Sequence, residues 1–124
     1  MSSAPRIADI TTNDPVSVSP GLPVADAASR MKELACRHLP VVDGRQLVGI
    51  VSAKDLGRGG ATVADVMTPE PWTIGPDERS DVAAAAMALR KVSCLPVVDG
   101  GTLVGILTTY DLLDAFVKYF RSQS

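Results

Sequence analysis

The chain has 124 residues, 46% apolar and 21% charged, enough for one compact domain or two very small units that share a core. Twelve basic against fourteen acidic side chains give a net charge of −2 and a pI near 5.2, which argues against a nucleic-acid binder, because capturing phosphates takes a basic field. The longest apolar run, Val82 to Leu89, is mostly alanine and far short of the ~20 residues that cross a bilayer.

The N-terminus, MSSAPRIADI, lacks the apolar stretch of a secretory signal. A short start, Ile7 to Asn13, precedes a small predicted strand, Val16 to Val18, which stops at Pro20. Val24, Ala27, Ala28, Met31, Leu34 and Ala35 then recur at the three-and-four spacing of one buried helical face. LPVVDG reads as a short buried strand that ends in an Asp-Gly turn, and Leu47 to Val51 supplies the second strand of a hairpin. A helix begins near Asp55, and Gly57 to Ala61 (GRGGA) reads as a flexible linker too short for independent domains.

The same string then returns. Val63 to Pro69 is a second start, Trp72 to Ile74 a second small strand ending at Pro76. Val82, Ala83, Ala86, Met87 and Leu89 continue a helix whose face is less sharp, since alanine fills most positions. A second hairpin follows with Leu103 to Leu107 as its return strand, then a helix from about Asp111. This copy runs on as DLLDAFVKYFRSQS, where Leu112, Leu113, Phe116, Val117 and Phe120 make a broad apolar face.

Residues 7–56 and 63–112 align at an offset of 56 with no gap and 20 identities in 50 positions, a register that chance similarity does not keep. The chain is a duplication, divided here as 1–60 and 61–124. A unit of roughly 55 residues rarely buries a sufficient core by itself. The two halves are therefore expected to pack sheet to sheet as one pseudo-symmetric α/β (α+β) body, with the final helix sealing a flank or joining a second subunit. Two cysteines, Cys36 and Cys94, make no disulfide framework and suggest a reducing cytoplasm.

The strand–helix–strand–strand–helix order, LPVVDG, and the following G-[IL]-x-[ST]-x-x-D occur in both copies. With them the chain resembles a stand-alone tandem CBS-domain pair, the family named after cystathionine β-synthase, over residues 7–120. The resemblance implies two β-α-β-β-α repeats packed through their small sheets. It also implies a regulatory, ligand-sensing role: adenosine nucleotides (AMP, ADP, ATP) or S-adenosylmethionine held in clefts between repeats, with no cofactor required, no metal and no catalysis. Two such pairs associate through their helices, so a homodimer and an unknown regulated protein are the expected partners, with neither nucleic acid nor membrane among them.

Carried onto this sequence, one site joins Thr108, Tyr110 and Asp111 to Asn13, Asp14, Pro15, Cys36, Arg37 and His38. The other joins Ser52, Lys54 and Asp55 to Pro69, Glu70, Pro71, Val92, Ser93 and Cys94. The chemistry suits the assignment. Each Ser/Thr and Asp pair stands at a helix N-terminus, where N–H groups favour anions, and a carboxylate can accept from both hydroxyls of a ribose. Arg37 and His38 are the phosphate candidates of the first site, since the planar fork of arginine fits phosphate. The second site has Lys54 as its evident cation, and Glu70 repels phosphate, so the Asp111 site is expected to be the better one.

The residues leave other readings open. Ser/Thr and Asp before a helix are also ordinary caps, Arg37 suits a solvated helix end, and His38 suits a satisfied structural histidine. Cys36-Arg37-His38 with Cys94 falls short of a zinc signature. No nucleophile–base pair, P-loop or G-x-G-x-x-G is present. The alternative function is a module without a ligand, acting by dimerisation and protein–protein contacts alone.

Overall fold

The computed structural model describes residues 5–13 and 15–123, without the side chains of Thr12 and Asn13; the candidate residue Asp14 lies outside the described residues. In chain order the elements are α1 (Ile7–Ile10), β1 (Thr12–Asn13), α2 (Val24–Leu34), β2 (His38–Asp43), β3 (Gln46–Ser52), α3 (Ala53–Leu56), α4 (Val63–Val66), β4 (Thr68–Pro69), α5 (Ser80–Arg90), β5 (Cys94–Asp99), β6 (Thr102–Thr108) and α6 (Thr109–Gln123).

Two compact units result. The first is Val16–Pro71 with Gly101–Leu103; the second holds the chain up to Pro15, Trp72–Gly100 and the chain from Val104 onward. Their cores use the same positions. Val18, Ala27, Met31, Leu39, Val41, Val51 and Val63 are buried in the first unit. Ile74, Ala83, Met87, Leu95, Val97, Leu107 and Ile7 are buried in the second. Apart from the last of each list, every residue of the second set stands 56 positions after its counterpart.

That last pair shows an exchange that a division at residue 60 does not capture. Ile7, in the first copy, belongs to the second unit: its N–H donates to the Glu78 carbonyl at 2.9 Å, and Ala8 N–H donates to that of Pro76 at 2.9 Å. Val63, in the second copy, belongs to the first unit, with Val63 N–H on Leu22 and Ala64 N–H on Pro20, both at 2.9 Å. Each one-turn helix is started by an aspartate: Arg6 N–H donates to Asp9 Oδ2 at 3.0 Å and Thr62 N–H to Asp65 Oδ2 at 2.9 Å. The N–H groups of Thr62 and Ala61 hold the Asp65 carboxyl below its ordinary range.

The expected strands at Val16–Val18 and Trp72–Ile74 shrink to single parallel bridges, Val18 to Val41 and Ile74 to Val97. Proline explains the difference. Pro15 and Pro20 bound the first and Pro71 and Pro76 the second, and a proline has no N–H with which to carry a ladder past either end. One valine or isoleucine still closes the bridge: Val18 donates to Pro40 at 3.0 Å and accepts from Val42 at 2.9 Å.

The hairpins form as read. β2 and β3 pair antiparallel from His38–Ser52 to Asp43–Gln46. In the second hairpin both loop positions, Gly100 (φ +59) and Gly101 (φ +85), are left-handed, as a two-residue turn matched to strand twist requires. The linker is less loose than its composition suggests, because Val24 N–H donates to the Ala61 carbonyl at 3.1 Å and Arg58 is anchored to Asp55.

α2 and α5 both end on a left-handed residue that is not glycine, Ala35 (φ +52) and Lys91 (φ +57). The next N–H returns to the helix, Cys36 to Met31 at 3.0 Å and Val92 to Met87 at 3.1 Å, a Schellman closure. An L-residue there costs about 1–2 kcal/mol, partly offset because glycine loses more freedom on folding. Ala35→Gly is therefore expected to raise Tm by about 2–4 °C in thermal unfolding; a lower Tm would contradict the cap assignment.

Candidate ligand-binding site

At the junction of β6 and α6, Thr108 N–H donates to Asp111 Oδ2 at 2.9 Å, and Asp111 N–H donates to Thr108 Oγ1 at 3.2 Å. The junction of β3 and α3 repeats this with Ser52 and Asp55, at 2.9 and 3.0 Å. Both pairs are thus reciprocal helix caps. The caps use one carboxylate oxygen each, so the other decides what more the site can do.

The two copies differ at that atom. Asp55 Oδ1 is held by the Arg58 guanidinium at 3.3 Å, and Asp55 is buried. The second oxygen of Asp111 has no partner among the described residues, and Asp111 is half-exposed. A carboxylate accepts through both oxygens. Asp111 therefore keeps acceptor capacity facing solvent at the start of a fifteen-residue helix, whereas that of Asp55 is taken. Arg58 escaped the sequence reading, which treated it as linker; its i,i+3 spacing from Asp55 is the signal that marks it.

Each cap has neighbours within its own unit. In the second unit, Thr109 N–H donates to the Ser93 carbonyl at 3.0 Å, which sets Ser93 and Cys94 beside the cap. β1 lies antiparallel on β6 with Asn13 opposite Gly105, three residues before Thr108, and Pro15 follows in the same unit. The Tyr110 side chain is exposed. In the first unit, Ala53 N–H donates to the Arg37 carbonyl at 2.8 Å, and His38 pairs with Ser52. Pro69 lies opposite Gly49 on β3, close enough that a Cβ on Gly49 would sit 2.9 Å from the Thr68 carbonyl oxygen. Glu70, between Pro69 and Pro71, holds a left-handed backbone (φ +48) and donates its N–H to Val48 at 3.3 Å. Cys36, Lys54 and Pro71 belong to this unit too. Within the units, then, Arg37 and His38 stand with Ser52 and Asp55, and Ser93 and Cys94 with Thr108 and Asp111.

Burial lowers the pKa of His38 from its ordinary value, Asp55 opposes this, and Arg37 adds to it. Its imidazole is neutral at pH 7 and can offer a hydrogen bond rather than a full charge. Between the lowered folded pKa and the ordinary value near 6.5, the unfolded chain binds more protons than the folded one. His38 thus contributes stability that is complete above about pH 6.5 and is lost as pH falls through the folded pKa. Denaturant unfolding from pH 7 to 5 is expected to show a smaller acid-side loss in His38→Gln than in the wild type. Equal slopes would contradict this.

Neither Cys36 nor Cys94 is in a disulfide. Among the described residues no three His, Cys, Asp or Glu side chains are grouped to hold a metal ion, and no helix is long and apolar enough to cross a membrane.

A family model, the CBS domain, matches residues 7–58 and again 63–118. The chain belongs to the CBS-domain family and carries the domain twice. It is 38% identical over 111 residues to an inosine-5'-monophosphate dehydrogenase of Korarchaeum cryptofilum, covering 86% of this chain but 23% of the enzyme. It thus spans less than a quarter of the curated enzymes it matches. The CBS domain-containing protein YhcV of Bacillus subtilis is 33% identical over 114 residues, 86% of this chain and 81% of YhcV. Among solved structures, CBSX2 in complex with AMP superposes with a TM-score of 0.87 at 31% identity, covering 92% of this chain and 97% of that one; CBSX2 comes from Arabidopsis thaliana. The CBS domain pair of protein MJ0100, in complex with 5'-methylthioadenosine and S-adenosyl-L-methionine, gives 0.86 at 29%, covering 94% and 98%. The mixed helix and antiparallel-sheet fold of the chain is that of these CBS pairs.

Proposed function

We propose that the chain is a regulatory module that binds an adenosine nucleotide (AMP, ADP or ATP) or S-adenosylmethionine, with the ribose hydroxyls on Asp111. The carrying observation is the second oxygen of Asp111, open to a vicinal diol where the equivalent oxygen of Asp55 is closed by Arg58. Relatives of the same fold are complexes with AMP and with 5'-methylthioadenosine and S-adenosyl-L-methionine. Thr108 accepts from Asp111 N–H and keeps its own proton to donate to a ribose or phosphate oxygen. Tyr110, exposed on the first turn, flanks the adenosyl group together with Asn13, Pro15, Ser93 and Cys94 of the same unit. Ser52, Lys54, Asp55 and Pro71, with Cys36, Arg37 and His38 as the phosphate side, make the weaker site in the first unit. Ligand binding acts on a regulated protein in the cytoplasm, and the chain works as a homodimer rather than as an enzyme.

Binding switches such a module only if two states differ in affinity for the ligand. The second reading, a module without a ligand acting through protein contacts, is favoured by the exposed apolar face of α6. Titration calorimetry separates the two. Heat with at least one of AMP, ADP, ATP and S-adenosylmethionine is expected; none at millimolar ligand would overturn the sensor and leave the second reading.

A further inference from the structure

The two copies of the repeat reverse the charge of one residue, the one three places after each cap aspartate. Arg58 follows Asp55, and at the offset of 56 Asp114 follows Asp111. The caps themselves do not ask for this difference, because Ser52 with Asp55 and Thr108 with Asp111 make the same reciprocal pair of hydrogen bonds. Neither does core packing, since Arg58 is exposed and Asp114 half-exposed.

Backbone and side chain together aim Arg58 at its aspartate. α3 stops at Leu56, Gly57 keeps a helical backbone (φ −80, ψ −6), and Arg58 N–H donates to the Asp55 carbonyl at 3.1 Å. The guanidinium then stands 3.3 Å from Asp55 Oδ1, the oxygen that the cap leaves over. The Asp55 side chain is 11% exposed against 64% for that of Arg58, so the arginine sits on the solvent side of a carboxylate that water scarcely reaches. Residues three apart on a helix share a face, and Asp114 shares that of Asp111. It pairs onward with Lys118 at 2.9 Å, and an anion there cannot do to Asp111 what a guanidinium does to Asp55.

We propose that this position is the gate of each cap: Arg58 keeps a ribose off Asp55, Asp114 leaves Asp111 open, and the chain therefore binds one adenosyl ligand rather than two. The gate presupposes the ribose reading above and adds to it the residue that decides which copy binds. A vicinal diol donates two hydrogen bonds and needs a carboxylate with acceptor capacity to spare. To reach Asp55 Oδ1 it must replace a charged partner with a neutral one and leave the guanidinium to water. For a pair exposed on one side, that lowers affinity about fivefold. Plain attraction has the opposite sign: toward an anionic ligand, Arg58 acting only as a charge would help and Asp114 would hinder. An anionic probe therefore separates a gate from a field.

Titration calorimetry with AMP on the full chain compares the wild type with Arg58→Ala and Asp114→Arg. The wild type is expected to bind one AMP. Arg58→Ala, although it loses a positive charge, is expected to bind a second AMP about fivefold tighter than any second event in the wild type. Asp114→Arg, although it gains positive charge, is expected to bind AMP about fivefold more weakly. Two equal sites in the wild type, no tighter second event in Arg58→Ala, or undiminished binding in Asp114→Arg overturns the gate and leaves the sensor standing. No heat from the wild type removes AMP from the sensor's ligands, and Arg58→Ala then decides the gate alone: heat upholds it and none overturns it. Should Arg58→Ala melt early by circular dichroism, because Asp55 has lost a partner, Asp114→Arg carries the test, since Asp114 belongs to neither cap.

Discussion

Asp111→Asn is expected to lower the affinity for AMP about 100-fold while Asp55→Asn leaves it within about threefold, as read by calorimetry. The substitution keeps an oxygen for the Thr108 N–H, so the cap at the start of α6 survives and the helix stays where it is. What it removes is the charge behind two hydrogen bonds to ribose. Each charge-assisted bond is worth about 1.5 kcal/mol or more, and two together correspond to roughly two powers of ten. Asp55 differs because Arg58 already occupies its other oxygen at 3.3 Å. If Asp55→Asn alone abolished binding, the assignment of the better site would be wrong. Loss in both variants would mean that the two caps contribute to one event.

Ile7→Ala should destabilise the protein by about 2–5 kcal/mol, as loss of a fully buried isoleucine side chain does, although Ile7 is only the seventh residue of the sequence. Thermal unfolding should report a fall in Tm of roughly 10 °C. The location of the damage is the sharper part of the prediction. Ile7 packs with Ile74, Ala83, Met87, Leu95, Val97 and Leu107, so hydrogen exchange should quicken first in β5 and β6. Val63→Ala should do the converse and loosen β2 and β3, since Val63 packs with Val18, Met31, Leu39 and Val51. Faster exchange in β2 and β3 for Ile7→Ala would contradict the exchange of starting segments.

The repeat made most of the fold legible. Spacing placed α2 within a residue of its observed ends, because its apolar stripe is clean and its outer face charged. α5 read less sharply for a reason that the structure makes clear: its outer face is apolar as well, so periodicity alone could not separate core from surface. The exchange of α1 and α4 was not legible, since four-residue segments carry no pattern that says which unit they pack on. Nor was the reduction of the small strands to bridges, where flanking prolines outweighed the β-branched residues between them. At the site, the Ser/Thr and Asp pairs were legible as both cap and ligand group. Only coordinates could show that the cap uses one oxygen and leaves the second to Arg58 in one copy and to solvent in the other.

The most direct test is a crystal structure of the full chain grown with millimolar AMP. The account predicts ribose hydroxyls within hydrogen-bond distance of the Asp111 carboxylate and Thr108 Oγ1, with the cap to α6 intact. Ribose on Asp55 with Arg58 displaced, or AMP bound elsewhere, would contradict it.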